Sequence, residues 1–430
     1  MDRLAGGPLL CQQGPRKSPP NTASPHAVLN KHSRMPRLIY LSGAPKVSTA
    51  VGAEAGGARA HVLGIIRAFE KLNWDVQSFI AGDKLPRFIT RRGAETLLSG
   101  RIHRALVADI LRIGLNASNA RAVGTLVEGA DLAYERFGAF QSLGRRFKRS
   151  NVPWILETQG VDFHNSFKTN RTTALQDWAR RREIQTYRSC DGIVCSTEDV
   201  CREIVDVAGV GPRKILVLPN AVDTDYYCPS KFTPHRASTV FTVGFVGRLY
   251  PWQGLRLLFE ALRAIKSEGK SEIRLVIIGD GIQRKVLVQR VRELGLQSDV
   301  TFMGQVPGDR AAELLMGCDL SYVGHRRSER GDLPFSPIKL FESLSLGVPV
   351  VVPSEPGFTD VIKPGRNGFV FSPGDTRSLA QVLVAASRMT GKLEAMGRAG
   401  REDVIGSHSW TRRVSVLLDW LADDRRLLRL

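Results

Sequence analysis

The sequence predicts an α/β protein made of two doubly wound domains, each a parallel sheet wrapped by helices. Three observations carry that expectation. Short apolar runs of strand length alternate with amphipathic stretches of helix length along residues 37–405, the pattern of strand–helix–strand units. A turn-rich stretch near residue 223 interrupts the alternation, and a second run follows it. The chain has 430 residues, enough for two or three domains, and 43% hydrophobic with 24% charged residues supports ordinary packed cores.

Residues 1–36 are rich in Pro, Ser, Asn, Gln and basic side chains and are expected to form a mobile tail. The first domain, placed at 37–222, opens with a strand at 37–42 and a glycine-rich loop from Val51 to Ala58. A helix follows, because Val62, Ile65, Ile66, Phe69 and Leu72 recur with a 3.6-residue period. Strands are then expected at 74–80, 131–134, 154–157, 192–195 and 215–218. Proline, asparagine and aspartate crowd residues 223–238, which read as a linker.

The second domain, 239–405, starts with a strand at 239–246 and a helix at 254–268. It continues with strand 274–278, helix 284–294, strand 300–302, helix 309–317 and strand 320–323. Helix 337–346, strands 348–352 and 368–371, and helix 376–389 complete it. Residues 406–430 contain an amphipathic helix near 409–425, with Val414, Leu417, Leu418 and Leu421 on one face.

Charge narrows the partners. Lysine and arginine number 61 against 42 acidic residues, a net +19, which favours anionic ligands or surfaces. No helix–turn–helix, RRM or zinc-finger text accompanies that charge, so nucleic acid is not expected. The six cysteines show no paired C-x-x-C spacing, so reduced thiols and no metal site are expected. No apolar run approaches the roughly 18 residues of a spanning helix, and the N-terminal segment is too short and broken for a signal peptide. A cytoplasmic protein is expected. Segment 84–112 sets Lys84, Arg87, Arg91, Arg92, Arg101, Arg104 and Arg112 against Glu95 and Asp109, interleaved with apolar residues. It reads either as solvated helix faces or as a surface docking on the anionic inner face of a membrane.

The second domain carries the clearest chemistry. Gly247-Arg248 follows a buried strand, and open α/β sheets hold ligands beyond the carboxyl ends of their strands. A guanidinium there suits two-pronged contact with phosphate oxygens. Gly279-Asp280-Gly281 repeats the logic after the next strand, weakly when taken alone. Ser336 is a good N-cap, Pro337 suits the first helical position, and Gly347 ends that helix. Its free amides form an anion site, Lys339 sits in the first turn, and Glu342 lies one turn further on. A carboxylate at Glu342 can accept both hydroxyls of a ribose. Without further support, a capped core helix with a solvated Glu342 explains the same residues.

The order of motifs supplies that support. Gly56-Gly57, Tyr134-Glu-Arg136, Pro219-Asn-Ala-Val-Asp223, Val246-Gly-Arg248, Ile278-Gly-Asp-Gly281, Val300-Thr-Phe-Met-Gly304, Cys318-Asp-Leu320, Ser336-Pro-Ile-Lys-Leu-Phe-Glu342 and Gly347-Val-Pro-Val350 succeed one another over residues 37–405. In this succession the chain resembles glycosyltransferase family 4, in a subgroup with the Ser-Pro-x-Lys-Leu-Phe-Glu text. The resemblance implies the GT-B architecture, two Rossmann-like domains facing across a cleft, with the C-terminal helix packing back on the first. It further implies metal-independent transfer of a hexose-type sugar, with retention, from a UDP- or GDP-linked donor to a hydroxyl of a glycan, lipid or small molecule. No cofactor is implied. Arg248, Lys339 and Glu342 would be catalytic, and Gly57, Gly247, Gln253, Gly279, Asp280, Gly281, Ser336 and Ile338 would bind the donor. Gly56, Gln159, Asp162, His164 and Asp332 are the acceptor or sugar candidates.

Three positions depart from the family pattern: Gln253 stands where a lysine is usual, Pro334 where an acid is usual, and Gln159 where a histidine is usual. Asp332 or Glu329 would replace the missing carboxylate. These departures keep open a second reading, a catalytically weak or inactive nucleotide-sugar-binding partner subunit. Donor-dependent release of nucleotide diphosphate separates the two.

Overall fold

The computed structural model of the chain describes residues 34–45, 47–50, 57–85, 102–163, 173–236, 239–325 and 338–423. Residues 1–33 of the expected tail (1–36), with Gly56, His164, Glu329, Asp332, Pro334 and Ser336, lie outside the described residues. The chain divides into two compact units. One takes the chain up to Glu54, Val62–Pro219 and the chain from Arg413 on; the other takes Ala55–His61 and Asn220–Arg412.

The first unit alternates β1 (Arg37–Ser42), α1 (Gly57–Lys71), β2 (Asp75–Ile80), α2 (Ile102–Ala122) and β3 (Leu132–Arg136). It continues with α3 (Arg145–Arg149), β4 (Trp154–Thr158), α4 (Gln176–Ser189), β5 (Gly192–Cys195), α5 (Glu198–Ala208) and β6 (Ile215–Val217). The strands run in the order β2-β1-β3-β4-β5-β6, and all pair in parallel. Strand order therefore reverses between β1 and β3. Ile39, Leu41, Phe79, Ala133 and Phe147 fill one core cluster, and Trp154, Leu156, Ile193 and Ile215 another. The chain's last described helix, α12 (Trp410–Asp423), joins this unit from Arg413 on. Gly192 makes room for it, since a Cβ there would lie 2.7 Å from the Trp420 ring. Arg413 and Glu157, 4% and 0% exposed in their side chains, form a buried ion pair, and Arg413 Nε donates to the Pro219 carbonyl at 3.1 Å.

The second unit runs β7 (Phe241–Val246), α6 (Leu255–Ser267), β8 (Ile273–Ile278), α7 (Arg284–Glu293), β9 (Val300–Gly304) and α8 (Gly308–Met316). Then come β10 (Leu320–Tyr322), α9 (Ile338–Ser345), β11 (Val350–Pro353), β12 (Gly368–Phe371), α10 (Thr376–Ser387) and α11 (Thr390–Ser407). Its order is β12-β11-β10-β7-β8-β9, again parallel throughout. Here the reversal lies between β7 and β10. Two doubly wound parallel sheets are thus what the alternation predicts, with element ends shifted by one or two residues.

Two local expectations change. Of residues 223–238, read as a linker, the described 223–236 belong to the body of the second unit, where Tyr227 and Phe232 pack against its apolar cluster of Val276, Ile278 and Leu315. The 18-residue α11 was missed where four glycines interrupt the pattern. Two of them are there for close approach: a Cβ at Gly397 would lie 1.9 Å from the Gly347 carbonyl oxygen, and one at Gly400 would lie 2.7 Å from Leu344 Cδ2. Among the described residues, Cys190, Cys195, Cys228 and Cys318 are free thiols.

Candidate donor site at the carboxyl edge of the second sheet

A parallel sheet concentrates ligand chemistry where its strand order reverses, because the loops leaving the two central strands diverge there. In the second unit these are the loops after β7 and β10. The first carries Gly247, Arg248 and Gln253; the second leads into α9 with Ile338, Lys339 and Glu342.

Arg248 directly follows Gly247 and is half-buried. Five residues later, the turn Pro251–Gln253 presents Gln253, which is 9% exposed. Gly254 closes that turn with φ +68°, a conformation few other residues adopt, and the Tyr322 hydroxyl donates to its carbonyl at 3.0 Å. The loop is therefore pinned to β10. The Lys339 ammonium donates to Gln253 Oε1 and lies 4.4 Å from the centre of the Phe245 ring. Gln253, the residue standing where a lysine is usual, thus holds Lys339 at the mouth of β7.

Lys339 and Glu342 are three residues apart and share a face of α9. Burial pushes the Lys339 amine down to about 7, although the Glu342 carboxylate works in the opposite direction. Burial raises the Glu342 pKa, offset in part by a hydrogen bond from Tyr227 and by Lys339. Tyr227 is itself tied down: its carbonyl accepts from Ser345 Oγ at 2.7 Å and from Arg401 at 3.0 Å. Sequence reasoning passed over Tyr227. Its one signal was an aromatic pair, Tyr226-Tyr227, inside an otherwise turn-rich stretch.

The glycines after β8 have a different immediate cause from the one expected. Gly279 has φ +128°, and a Cβ there would lie 2.0 Å from the Gly247 carbonyl oxygen; at Gly281 it would lie 2.5 Å from that of Leu249. Their missing side chains make room for the neighbouring loop's backbone. Asp280 Oδ1 accepts from the Gly281 amide at 2.7 Å and so braces the same turn. Further along the edge, His325 Nδ1 meets Glu355 Oε2 at 3.1 Å, both residues being under 10% exposed. Gly57, grouped with this unit, packs near α9, with Ile338 Cδ1 3.5 Å from where its Cβ would stand.

Of the acceptor candidates, Gln159 and Asp162 follow β4 in the first unit. The Asp162 and Phe163 amides donate to the Glu183 carboxylate at 2.6 and 3.1 Å, and the Tyr187 hydroxyl donates to it at 2.7 Å. Burial, then the neighbouring Asp162, pushes Glu183 up to about 8. Glu183 shapes this loop and was not found from the sequence, since a buried glutamate on a basic helix leaves no pattern. Among the described residues no group of histidine, cysteine or acidic side chains could hold a metal ion.

This two-sheet architecture, with its polar edge at the reversal of the second sheet, is that of GT-B glycosyltransferases. Over 92% of this chain it matches a sucrose-phosphate synthase from Thermosynechococcus elongatus, with TM-score 0.64, 17% identity and 99% of that chain covered. Over 90% it matches Anabaena HepE, solved in complex with UDP and glucose, with TM-score 0.60, 17% identity and 99% of that chain covered. Residues 55–226 match the family model described as Glycosyltransferase Family 4, and residues 230–403 match that of Glycosyl transferases group 1. The chain belongs to this glycosyltransferase family.

Curated relatives match over a shorter stretch of the chain. A 2-deoxystreptamine glucosyltransferase of Streptomyces kanamyceticus is 26% identical over 247 residues, 55% of this chain and 60% of the relative. A D-inositol 3-phosphate glycosyltransferase of Geodermatophilus obscurus is 26% identical over 249 residues, 55% of this chain and 53% of the relative. The matches thus span little more than half of those relatives' lengths.

Proposed function

We propose that this chain is a retaining glycosyltransferase that moves a hexose-type sugar from a UDP-linked donor to an acceptor hydroxyl, without a metal ion. The observation that carries the proposal is Lys339 and Glu342 side by side on α9, with Lys339 held on Gln253 beside Arg248's loop. In this reading the Arg248 guanidinium, the Lys339 ammonium and the amides opening α9 receive the diphosphate. Negative charge grows there as the glycosidic bond breaks, so fixed cations stabilise the transition state more than the ground state. Glu342, steadied by Tyr227, accepts the ribose hydroxyls. Gly247, Gly279, Asp280 and Gly281 shape the backbone against which the donor lies, and Gly57 and Ile338 border it. HepE, bound to UDP and glucose, supports a uridine donor.

Gln253 also weighs against the inactive-subunit reading, since the residue in the lysine's place is used to position another lysine. For Gln159 and Asp162, on the loop shaped by Glu183, we propose contact with acceptor or transferred sugar.

We further propose a cytoplasmic location, with the 84–112 region docking on anionic lipid. Of that region, Lys84, Leu85 and residues from 102 on are described. On α2, Leu106, Val107, Ile110 and Leu111 are 38–63% exposed, while the helix's one acid, Asp109, is fully buried and accepts from Arg112 and the amides of Ala174 and Leu175. No exposed acid on α2 would repel an anionic surface. Among the described residues no helix is long and apolar enough to cross a membrane.

Thermal denaturation with UDP and UDP-glucose tests the donor site, because a ligand bound to the folded state raises the melting temperature. Both should stabilise the protein, and Arg248→Ala and Glu342→Ala should each abolish the shift while retaining the wild-type circular dichroism. Undiminished shifts in both variants would place the donor elsewhere.

A further inference from the structure

We propose that Arg136 and Ser42, at the carboxyl edge of the first unit's sheet, bind an anionic group on the acceptor, so that the acceptor is a polyol bearing a phosphate or carboxylate. This rests on the transferase reading above and names its missing substrate class.

The argument starts from register. β1 and β3 are the neighbours across which the first sheet reverses, and Ser42 pairs with Arg136 as their last residues. Side chains alternate along a strand, so Tyr40, Ser42, Tyr134 and Arg136 share one face; the Tyr40 and Tyr134 rings stack there at 5.9 Å. On the next strand Arg136 pairs with Glu157. That carboxylate, the acid in register with Arg136, is already engaged by Arg413.

Arg136 is half-buried, and its Nε is shut off from solvent with no hydrogen-bond partner. Ser42 is 0% exposed, and its hydroxyl has no partner either. A third such atom is Gln141 Oε1, on a side chain 3% exposed and pressed so closely on Gly43 that a Cβ there would lie 2.4 Å from it. The loop bearing Gln141 is not loose. Glu135 accepts from the Leu143 and Gly144 amides at 2.8 and 2.9 Å and fixes it.

Buried polar atoms without partners are costly, and several at one corner of a sheet call for a ligand that completes them. A guanidinium fork with a hydroxyl donor suits an oxyanion, while the carboxamide oxygen suits a ligand hydroxyl. The corner lies beyond the carboxyl ends of the strands at the reversal of the first sheet, the general ligand position of such sheets. The proposed donor contacts belong to the second unit, which leaves this corner to the acceptor.

Calorimetric titration of the full chain with inorganic phosphate, and separately with acetate, tests this with and without saturating UDP. Phosphate should bind the UDP-loaded wild type. Arg136→Gln should weaken it at least tenfold, Arg136→Lys less, and Ser42→Ala about threefold, with UDP affinity held within twofold. Acetate binding as tightly as phosphate would assign a carboxylate. In steady state, the advantage of a phosphorylated polyol over its parent polyol in kcat/KM for UDP release should collapse in Arg136→Gln. Phosphate binding that UDP abolishes, or that Arg136→Gln leaves unchanged, overturns the proposal, as does loss of UDP binding in that variant. Should Arg136→Gln fail to fold, Ser42→Ala, which removes a single oxygen, decides. A wild type that ignores UDP sinks the donor reading alone, because the phosphate titration is still read without UDP.

Discussion

Lys339 carries two opposed demands. It sits in the first turn of α9, where the helix dipole disfavours a cation, and burial has brought its amine down to about 7. A bound diphosphate restores the charge, so the complex takes up a proton that the free protein lacks above neutrality. Linkage gives the sign: affinity is greatest below pH 7 and falls as pH rises above it, by up to about tenfold per unit. The Kd of UDP-glucose, whose diphosphate does not itself titrate in this range, measured between pH 6 and 9 should show that decline. Lys339→Met should bind more weakly and with a flatter profile, the residue of its slope belonging to Glu342. A level wild-type profile would remove Lys339 from the phosphates. Arg248, Lys339 and Glu342 were legible because they follow strand and helix ends. Tyr227, Glu183 and Arg136's lack of a partner were not, since each is defined by a neighbour distant in sequence.

Secondary-structure elements were read most securely where apolar periodicity was strong. Every named strand falls at an expected position, because three to six residues of mostly apolar text between turn signals have few alternatives in an α/β chain. α11 failed that reading for a reason that makes a prediction. Gly397→Ala should improve helix propensity by about 1 kcal/mol, yet its Cβ would meet the Gly347 carbonyl oxygen, which ends α9 at φ +73° and is backbone. We expect a net loss of about 1–3 kcal/mol, seen as a lower melting temperature, together with weaker UDP binding because α9 is displaced. Gly406→Ala, in the same helix with nothing within 4 Å of its Cβ, should be neutral or stabilising by up to about 1 kcal/mol. Equal effects at the two sites would show that propensity, not packing, governs the helix.

For the whole molecule, the net charge of +19 and the acid-free exposed face of α2 act together. Sedimentation with vesicles should show binding to anionic but not neutral lipid, released by salt. Leu111→Asp combined with Ile110→Asp should abolish binding with little loss of stability, since both side chains are more than half exposed. Equal binding to neutral vesicles would remove the electrostatic component. The division into two sheets was readable from the change in composition near residue 223. The place of that stretch was not, because packing by Tyr227 and Phe232 outweighs a turn-rich composition.

The first unit owns both early and late parts of the chain, since Glu157 on β4 finds Arg413 only 256 residues later. During synthesis, the carboxylate on β4 must wait without its cation until Arg413 has been made. The first sheet therefore emerges from the ribosome well before the residue that neutralises its buried carboxylate, and stays open to rearrangement until then.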